Sequence, residues 1–475
     1  MTIPTTPSAA AAAAAQYGRG ARRAAGRSVR ADVPITEHAR LAASDRDPVA
    51  ILERQAASRV ASLIAIRHGR MAASPFAFYR GAAAMMAHDL RREPDSGIVT
   101  WLCGDAHLSN VGLYASPERA LVVDVNDFDE TAPGPFEWDL KRMAASFELA
   151  ARAREFDDAV RGEIVGEVVR AYADAMDGLA GAPRLHLATA TVSASTLLDT
   201  AGRTLDAGRT DRVAAAIAKA HRRDSRQAAR KLTEEVDGET RFRSQPPLLV
   251  PLREVADHAA TTEQEARERV EALLERYRDS LPADRRQVID GYAFVDAAMK
   301  VVGVGSVGTR AWVVLLRGNG RRDLLMLQAK EAQRSVLEST AGPHAFAHEG
   351  ERVVRGQRIM QALSDLLLGW LTAEGFDDVP RAFYVRQFRD WKGSADPSVM
   401  EPDTMRVYAQ YCGVLLARAH ARGGDAATIA GYVGRGEALA RALVAFSGAY
   451  ADRTDEDHRA LLDAIASGRV EAAEG

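Results

Sequence analysis

Cys103-Gly104-Asp105-Ala106-His107-Leu108-Ser109-Asn110 puts a carboxylate, an imidazole and an amide close together, and Asp124-Val125-Asn126-Asp127-Phe128-Asp129-Glu130 follows after a short interval. Between the two clusters, Val111 to Tyr114 and Ala120 to Val125 have the composition of strands. The turn Ala115-Ser116-Pro117-Glu118-Arg119 joins them, so the acidic ends should meet in space. Converging carboxylates repel one another unless a cation sits among them. Magnesium takes oxygen from one or two carboxylates plus the phosphates of a substrate, which is what an Asp/Asn/Asp set can offer. Phosphoryl transfer is therefore the first chemistry to consider. Asp105 would orient the attacking hydroxyl, and Asn110 would help hold the metal on the transferring phosphate. The alternative is that Asp105 and Asn110 are turn residues capping a strand, since a D-x-x-x-x-N spacing is common.

A second constellation lies far downstream. Gly303-Val304-Gly305-Ser306-Val307-Gly308 has the G-x-G-x-x-G form. A dinucleotide-binding version must open a helix, whereas here β-favouring Trp312, Val313 and Val314 follow. A strand, a glycine turn and a strand make a phosphate-covering loop, with a plain hairpin as the alternative. The hairpin turn Gly318-Asn319-Gly320 leads into a third strand that ends in Leu327-Gln328-Ala329-Lys330, where a lysine could grip phosphates. The helix that follows should supply a glutamate to pair with Lys330, Glu351 or Glu349 before Glu338. Arg70 and Arg80 could grip a phosphate or be ordinary ion-paired arginines. His107 suits a loop-stabilising hydrogen bond better than a base. The basic run from His221 to Lys231 reads as a solvated helix face, or as a receiver for an anionic substrate.

These residues need elements to hold them. Ser74-Pro75 signals a helix start, with the helix running to about Leu90. Leu140, Met143, Phe147, Leu149 and Ala150 mark one apolar helix face, and Ile164, Val168, Tyr172 and Met176 another, so the middle third of the chain is mostly helix. Three antiparallel strands follow from about Met299. Next come a helical stretch from about Phe346 to Leu371, a strand at Ala382 to Phe388, and helices from Met405 to Arg422 and onward.

The chain has 475 residues, 47% hydrophobic and 27% charged, which is ordinary for a soluble globular protein. Its formal charge of −3 gives no overall attraction to nucleic acid or to an anionic membrane. Two cysteines, Cys103 and Cys412, make no disulfide framework. Residues 1–30, rich in alanine and arginine, read as a disordered tail without the order of a secretory signal. A cytoplasmic protein with no membrane partner is the expectation.

Gly104-Asp105-Ala106-His107-Leu108-Ser109-Asn110, with Asp127-Phe128-Asp129 and Pro135 to Leu140 after it, resembles the catalytic and metal-binding segments of aminoglycoside and choline kinase-like phosphotransferases, members of the protein-kinase-like superfamily. The resemblance covers about forty residues. It implies Asp105 as the catalytic aspartate, Asn110 and Asp127 as magnesium ligands with Asp124 and Asp129 as rivals, and Asp139 as a structural anchor. Gly303, Gly305, Gly308, Lys330 and Glu351 would bind ATP, and the acceptor is unknown. Gln328 stands where a small residue usually roofs the adenine. From about residue 50 onward the chain also resembles a bacterial family of uncharacterised proteins, domain of unknown function 2252. The resemblance carries R-M-x-x-S-P-F-x-F-x-R-G at Arg70 to Gly81 and Q-x-K-E-A at Gln328 to Ala332.

The expected fold is α+β, a protein-kinase-like pair of lobes with a small antiparallel sheet lobe and a large helical lobe. Because the glycine loop follows the catalytic segment instead of preceding it, the lobes would be circularly permuted. Residues 31–295 would form the helical lobe with the catalytic and metal-binding segments. Residues 296–395 would form the sheet lobe with its helix, and 396–475 the helices that complete the large lobe. An ATP- and magnesium-dependent phosphotransferase is the leading expectation, with nucleotidyl transfer on the same scaffold open. A metal-dependent phosphoesterase or a catalytically silent nucleotide-binding regulator are the alternatives.

Overall fold

The computed structural model describes residues 18–301, 303, 305, 307–338 and 345–473. It is a mixed α+β structure with antiparallel sheets. The principal helices are α1 (Arg19–Asp32), α2 (Phe136–Ala153), α3 (Asp158–Leu179), α4 (Glu349–Met360), α5 (Pro402–Gly423), α6 (Ala426–Val433) and α7 (Glu437–Ala466). The apolar faces expected on α2 and α3 are buried, and they share the main core with Met405, Cys412 and Leu416 of α5 and Leu443, Phe446 and Tyr450 of α7. Small residues set the spacing. A Cβ on Gly413 of α5 would lie 2.3 Å from the Val168 carbonyl oxygen of α3.

Four strands surround the first acidic clusters: β1 (Val99–Leu102), β2 (Val111–Ala115), β3 (Leu121–Val125) and β4 (Ala132–Pro135). β2 and β3 form the expected hairpin, and β1 pairs with β4. Then come the small hairpin of β5 (Thr233–Val236) and β6 (Glu239–Phe242), followed by β7 (Leu249–Pro251), β8 (Ala293–Lys300), β9 (Ala311–Arg317), β10 (Leu324–Glu331), β11 (Gly369–Glu374), β12 (Pro380–Gln387) and the short β13 (Gly393–Ser394). Six of these make one antiparallel sheet in the order β11-β12-β10-β9-β8-β7. Lys330 on β10 stands opposite Ala311 of β9 and Tyr384 of β12. Strand alternation puts Gln328 and Lys330 on one face and Leu327 and Ala329 on the other, and Leu327 and Ala329 pack with Leu252, Tyr277 and Leu281.

Several expectations need correcting. The segment taken as a disordered tail forms helix α1 from Arg19 onward, while residues 1–17 lie outside the described residues. Its polar composition hides how it docks. Arg22 pairs with Asp425 at 2.7 Å, Arg30 donates to the carbonyls of Gly431 and Tyr432, and Gly26 lies flat against the Thr428 carbonyl. The helix expected to Leu371 stops at Met360, and Gly369–Glu374 is instead edge strand β11; Gly369 leaves room for Ser280 and Tyr277. The boundary between residues 295 and 296 cuts through β8, and β7 joins the sheet from within the segment expected to be helical. The Ser74 cap forms, with the Ala77 N–H donating to the Ser74 hydroxyl at 3.1 Å. That helix breaks after Gly81, and a second helix covers Ala83–Leu90.

Two further contacts join distant parts of the sequence. The Ala473 N–H donates to the Ala65 carbonyl at 2.9 Å. The C-terminal end of α5 abuts β1: the Thr100 hydroxyl donates to the His420 carbonyl at 3.0 Å, and a Cβ on Gly423 would lie 2.8 Å from that of Trp101.

Candidate active site

The segment after β1 is fixed by its backbone. Asp139, in the first turn of α2, accepts the N–H groups of Cys103 at 2.6 Å and Gly104 at 3.0 Å, and His420 lies 3.3 Å from the same carboxylate. This is the anchoring position expected of Asp139. Gly104 has φ of 84°, and any Cβ there would strike the Glu130 carbonyl, so the turn into Asp105 requires glycine. Asp105 Oδ1 accepts from Arg142 Nε at 2.8 Å. Arg142 is itself held by the Tyr79 carbonyl and lies over the Tyr79 ring, 3.9 Å from its centroid. The other oxygen, Oδ2, lies 3.9 Å from His107 Nε2.

Burial pushes the His107 imidazole down to about 3, and its Nδ1 accepts the Ser109 N–H at 3.2 Å. It is a neutral loop-holding group, as its position in the sequence suggests. Asn110 donates its amide to the Asp105 carbonyl at 2.8 Å, which leaves Oδ1 as an acceptor. The Asn126 N–H donates to the Asn110 carbonyl at 3.0 Å, bringing the second cluster alongside the first.

Within that second cluster the three aspartates separate. Asp124 is buried beside Arg422 at 3.6 Å and accepts the Val125 N–H; burial pushes its carboxyl up to about 6. Asp129 accepts from Lys330 Nζ at 2.5 Å and from the Tyr384 hydroxyl at 2.5 Å. Burial alone would raise the Asp129 carboxyl, but the Lys330 charge and these hydrogen bonds hold it well below the usual carboxylate range. Burial would likewise lower Lys330, yet Asp129 keeps its ammonium charged. Asp127 opens onto the adjoining cavity and makes no salt bridge among the described residues. Burial, and then the Asp129 charge, raise its carboxyl.

The glutamate expected for Lys330 is not its partner. Glu351 pairs with Arg355 at 2.9 Å and Glu349 with Arg352 at 2.5 Å, both along α4. Lys330 is already neutralised by Asp129, so α4 ties to the site by another route. The fully buried Arg352 donates to the carbonyls of Thr131, Asp129 and Gln333, clamping the end of the acidic segment to the chain beyond β10.

Gly303 lines the same cavity as Asp127 and Lys330, and its carbonyl accepts from Arg70 at 2.6 Å. Gly305 lies against the Arg80 carbonyl, and Gly308, with φ of 90°, packs on the Arg59 side chain. Val304 and Ser306 lie outside the described residues. The Arg80 guanidinium is lowered by burial and raised by Asp105 and Asp127 together, and its buried Nε has no hydrogen-bond partner among the described residues. The cavity has a volume of about 610 Å³ and is lined by nine lysines and arginines against three aspartates, with Gln328, Gln357 and Gln361 among its polar walls. Lys392 projects into it, where burial and the neighbouring Arg386 push its ammonium down to about 8.

Among the described residues, no three His, Cys, Asp or Glu side chains converge on a metal site. Asp127, a cavity-facing carboxylate without a salt bridge among the described residues, and the Asn110 amide oxygen, which is not among the residues lining that cavity, are donors of the kind a hard divalent cation takes. Such a pair leaves several positions for phosphate oxygens and water, as magnesium sites do.

Residues 59–464 match the family described as uncharacterised proteins conserved in bacteria, DUF2252. The chain belongs to that family. No curated protein and no solved structure matches it. In this DUF2252 protein the matched span takes in Arg70, Arg80, both acidic clusters, the glycine loop and Lys330. It also takes in residues that sequence reasoning missed: Arg142, Arg352, Tyr384, Arg386 and Lys392. Tyr384 and Arg386 could have been found from strand alternation on β12, which aims both toward Lys330. Nothing in the local pattern around Arg142, Arg352 or Lys392 gives their roles away.

No helix among the described residues is long and apolar enough to cross a membrane.

Proposed function

We propose that this DUF2252 protein is a kinase-like phosphotransferase that moves a phosphoryl group from ATP, with magnesium, to a hydroxyl acceptor. The observation that carries the reading is the pairing of Lys330 with Asp129, two residues from Asp127, with Lys330, Asp127 and Gly303 on one cavity. Two segments some two hundred positions apart in sequence thus supply a lysine, a carboxylate and a glycine turn to one place.

In this scheme Lys330 releases Asp129 in part and binds phosphate oxygens, while Gly303 lets backbone approach them. Asp127 and Asn110 hold magnesium, which when bound neutralises phosphate charge. Asp105 accepts a hydrogen bond from the acceptor hydroxyl through Oδ2, its Oδ1 being fixed by Arg142. Arg80, whose charge Asp105 and Asp127 both favour and whose Nε has no hydrogen-bond partner among the described residues, would meet the transferring group. Catalysis of this kind is positioning and electrostatics, which a rigid Arg142–Asp105–Asn110 arrangement suits.

The circular permutation belongs to the same proposal. What supports it is the contact of Gly423 with Trp101: the helix that would lead into the catalytic segment of an unpermuted chain ends against the strand that leads into it here.

Thermal-shift titration with ATP and magnesium tests the proposal. Ligand at about 100 times its Kd should stabilise the wild type by roughly 2.7 kcal/mol. Lys330→Met and Asp127→Asn should lose most of that shift. A wild type that ATP and magnesium leave unmoved would rule the proposal out.

A further inference from the structure

The cavity beside Asp127 holds more positive charge than a triphosphate end requires, and its own acids do not balance it. Asp390 is spent on Arg119 at 2.7 Å, and Asp365 accepts the N–H groups of Leu367 and Gln387. Only Asp127 remains for the lining cations. Among the described residues Lys330 alone of the nine has a carboxylate partner within salt-bridge distance. Three of them press on neighbouring cations: burial and then Arg389 lower Lys300, burial and then Arg223 lower Arg389, and burial and then Arg386 lower Lys392, while Arg386 itself, despite its burial, is held charged by nearby acids.

This positive track runs from Lys330 to a wall supplied by a separate part of the chain, Lys219 and Lys231 on the helices Ala207–His221 and Ser225–Leu232 and Arg222 and Arg223 in the turn between them. The wall is fastened in place. The Trp391 N–H donates to the Arg223 carbonyl at 2.7 Å, and the Arg223 guanidinium donates to the Lys392 carbonyl at 3.3 Å. The backbone donors at the end of β12 are also occupied: Gln387 by Asp365 and Phe388 by the Met326 carbonyl. This end of the cavity therefore offers cations where a nucleobase would need free backbone groups and an apolar slot. Like charges gathered in a walled cavity focus the field on an anion and persist at a cost that an anion relieves.

We propose that the ligand of this cavity carries a second anionic cluster, seated on Lys219, Arg222, Arg223 and Lys231, and is a multiply phosphorylated small molecule. Its near phosphates would take Lys330 and Lys392. This inference rests on the phosphotransferase reading only for which end reacts; the anion site itself stands on the lining charges. Inorganic polyphosphate, a nucleotide with an extra ribose phosphate and a polyol polyphosphate share that chemistry.

The test is calorimetric titration, without divalent metal and at physiological ionic strength, with tripolyphosphate, adenosine 3′,5′-bisphosphate and inositol hexakisphosphate as separate probes. Wild type should bind at least one of them more tightly than sulfate at matched ionic strength, and the probe preferred names the source. Reversing three exposed wall charges, K219E/R222E/K231E, should weaken that Kd about tenfold or more, and the milder K219Q/R222Q should weaken it in the same direction. Reversal of three exposed arginines elsewhere, R54E/R184E/R276E, should leave it unchanged, and Lys330→Met should weaken it less than the wall reversal does. Binding of none of the probes by wild type, or equal binding by wild type and the wall variants, would overturn the proposal. Loss of the ATP and magnesium shift with wall-dependent binding intact would instead overturn only the phosphotransferase reading.

Discussion

Asp105 has one oxygen committed and one open, and the commitment is to a guanidinium. Arg142 reaches Asp105 by a fork that also touches the Tyr79 carbonyl, so it sets the direction of Oδ2. Lysine cannot reproduce that fork. Under the proposed phosphotransferase activity, Arg142→Lys should therefore lower turnover by about ten- to a hundredfold while the KM for nucleotide stays near the wild-type value, a split that steady-state kinetics would read. An equal loss in nucleotide affinity would argue that Arg142 shapes the binding cavity instead. At this scale the sequence was partly legible. Asp105, Asn110, Asp127 and Asp139 could be singled out as one neighbourhood because they sit in short motifs, which the structure brings side by side. The partner of Lys330 could not. Kinase-like expectation places it on the following helix at Glu351, whereas burial of Asp129 next to Tyr384 makes the local carboxylate the better ion pair. Arg352, which donates only to backbone carbonyls beyond its own helix, has no motif by which to be found.

At the scale of elements, close helix packing is what holds the floor of the site. The α3–α5 contact leaves no room at Gly413, where a Cβ meets backbone, an obstacle that cannot rotate away. Gly413→Val should destabilise the protein by about 1–3 kcal/mol or more, with a lowered urea midpoint and an unchanged m-value. Amphipathic helices with strong apolar periodicity, α2 and α3, were readable because period and burial coincide. So were β9 and β10, whose alternation and glycine turns agree. What could not be read were elements fixed by partners far away in sequence. Helix α1 buries little but a glycine and gains its place from Arg22 and Arg30, which look like solvated charge until Asp425 and the Gly431 and Tyr432 carbonyls are known. Strand β11 opens on Gly369, a poor strand former selected by the closeness of Tyr277.

Across the whole molecule, buried acids make stability depend on pH. Glu137 is buried at the start of α2, where it accepts from the Ser96 N–H and hydroxyl, and burial pushes its carboxyl from 4.5 up to about 7. The folded chain holds this proton more tightly than the unfolded chain does. The contribution is therefore complete below about pH 4.5 and is lost as pH rises through about 7. Glu137→Gln removes that ionisation, so the melting temperature of the variant relative to wild type should rise between pH 5 and pH 8, as scanning calorimetry at both values would show. A constant difference would mean that Glu137 does not titrate in this range.

The abutment of α5 on β1 also bears on the order of events as the chain is made. Thr100 and His420 are 320 positions apart, and Lys330 and Asp129 are 201 apart. Closing such long loops costs entropy before any contact repays it, which slows folding. During synthesis from the N-terminus, Asp105, Asn110 and Asp127 emerge well before Lys330, and all of them precede the helix against which their segment rests. The two sides of the cavity, Asp127 on one and Lys330 with Lys392 on the other, can meet only after most of the chain has been made.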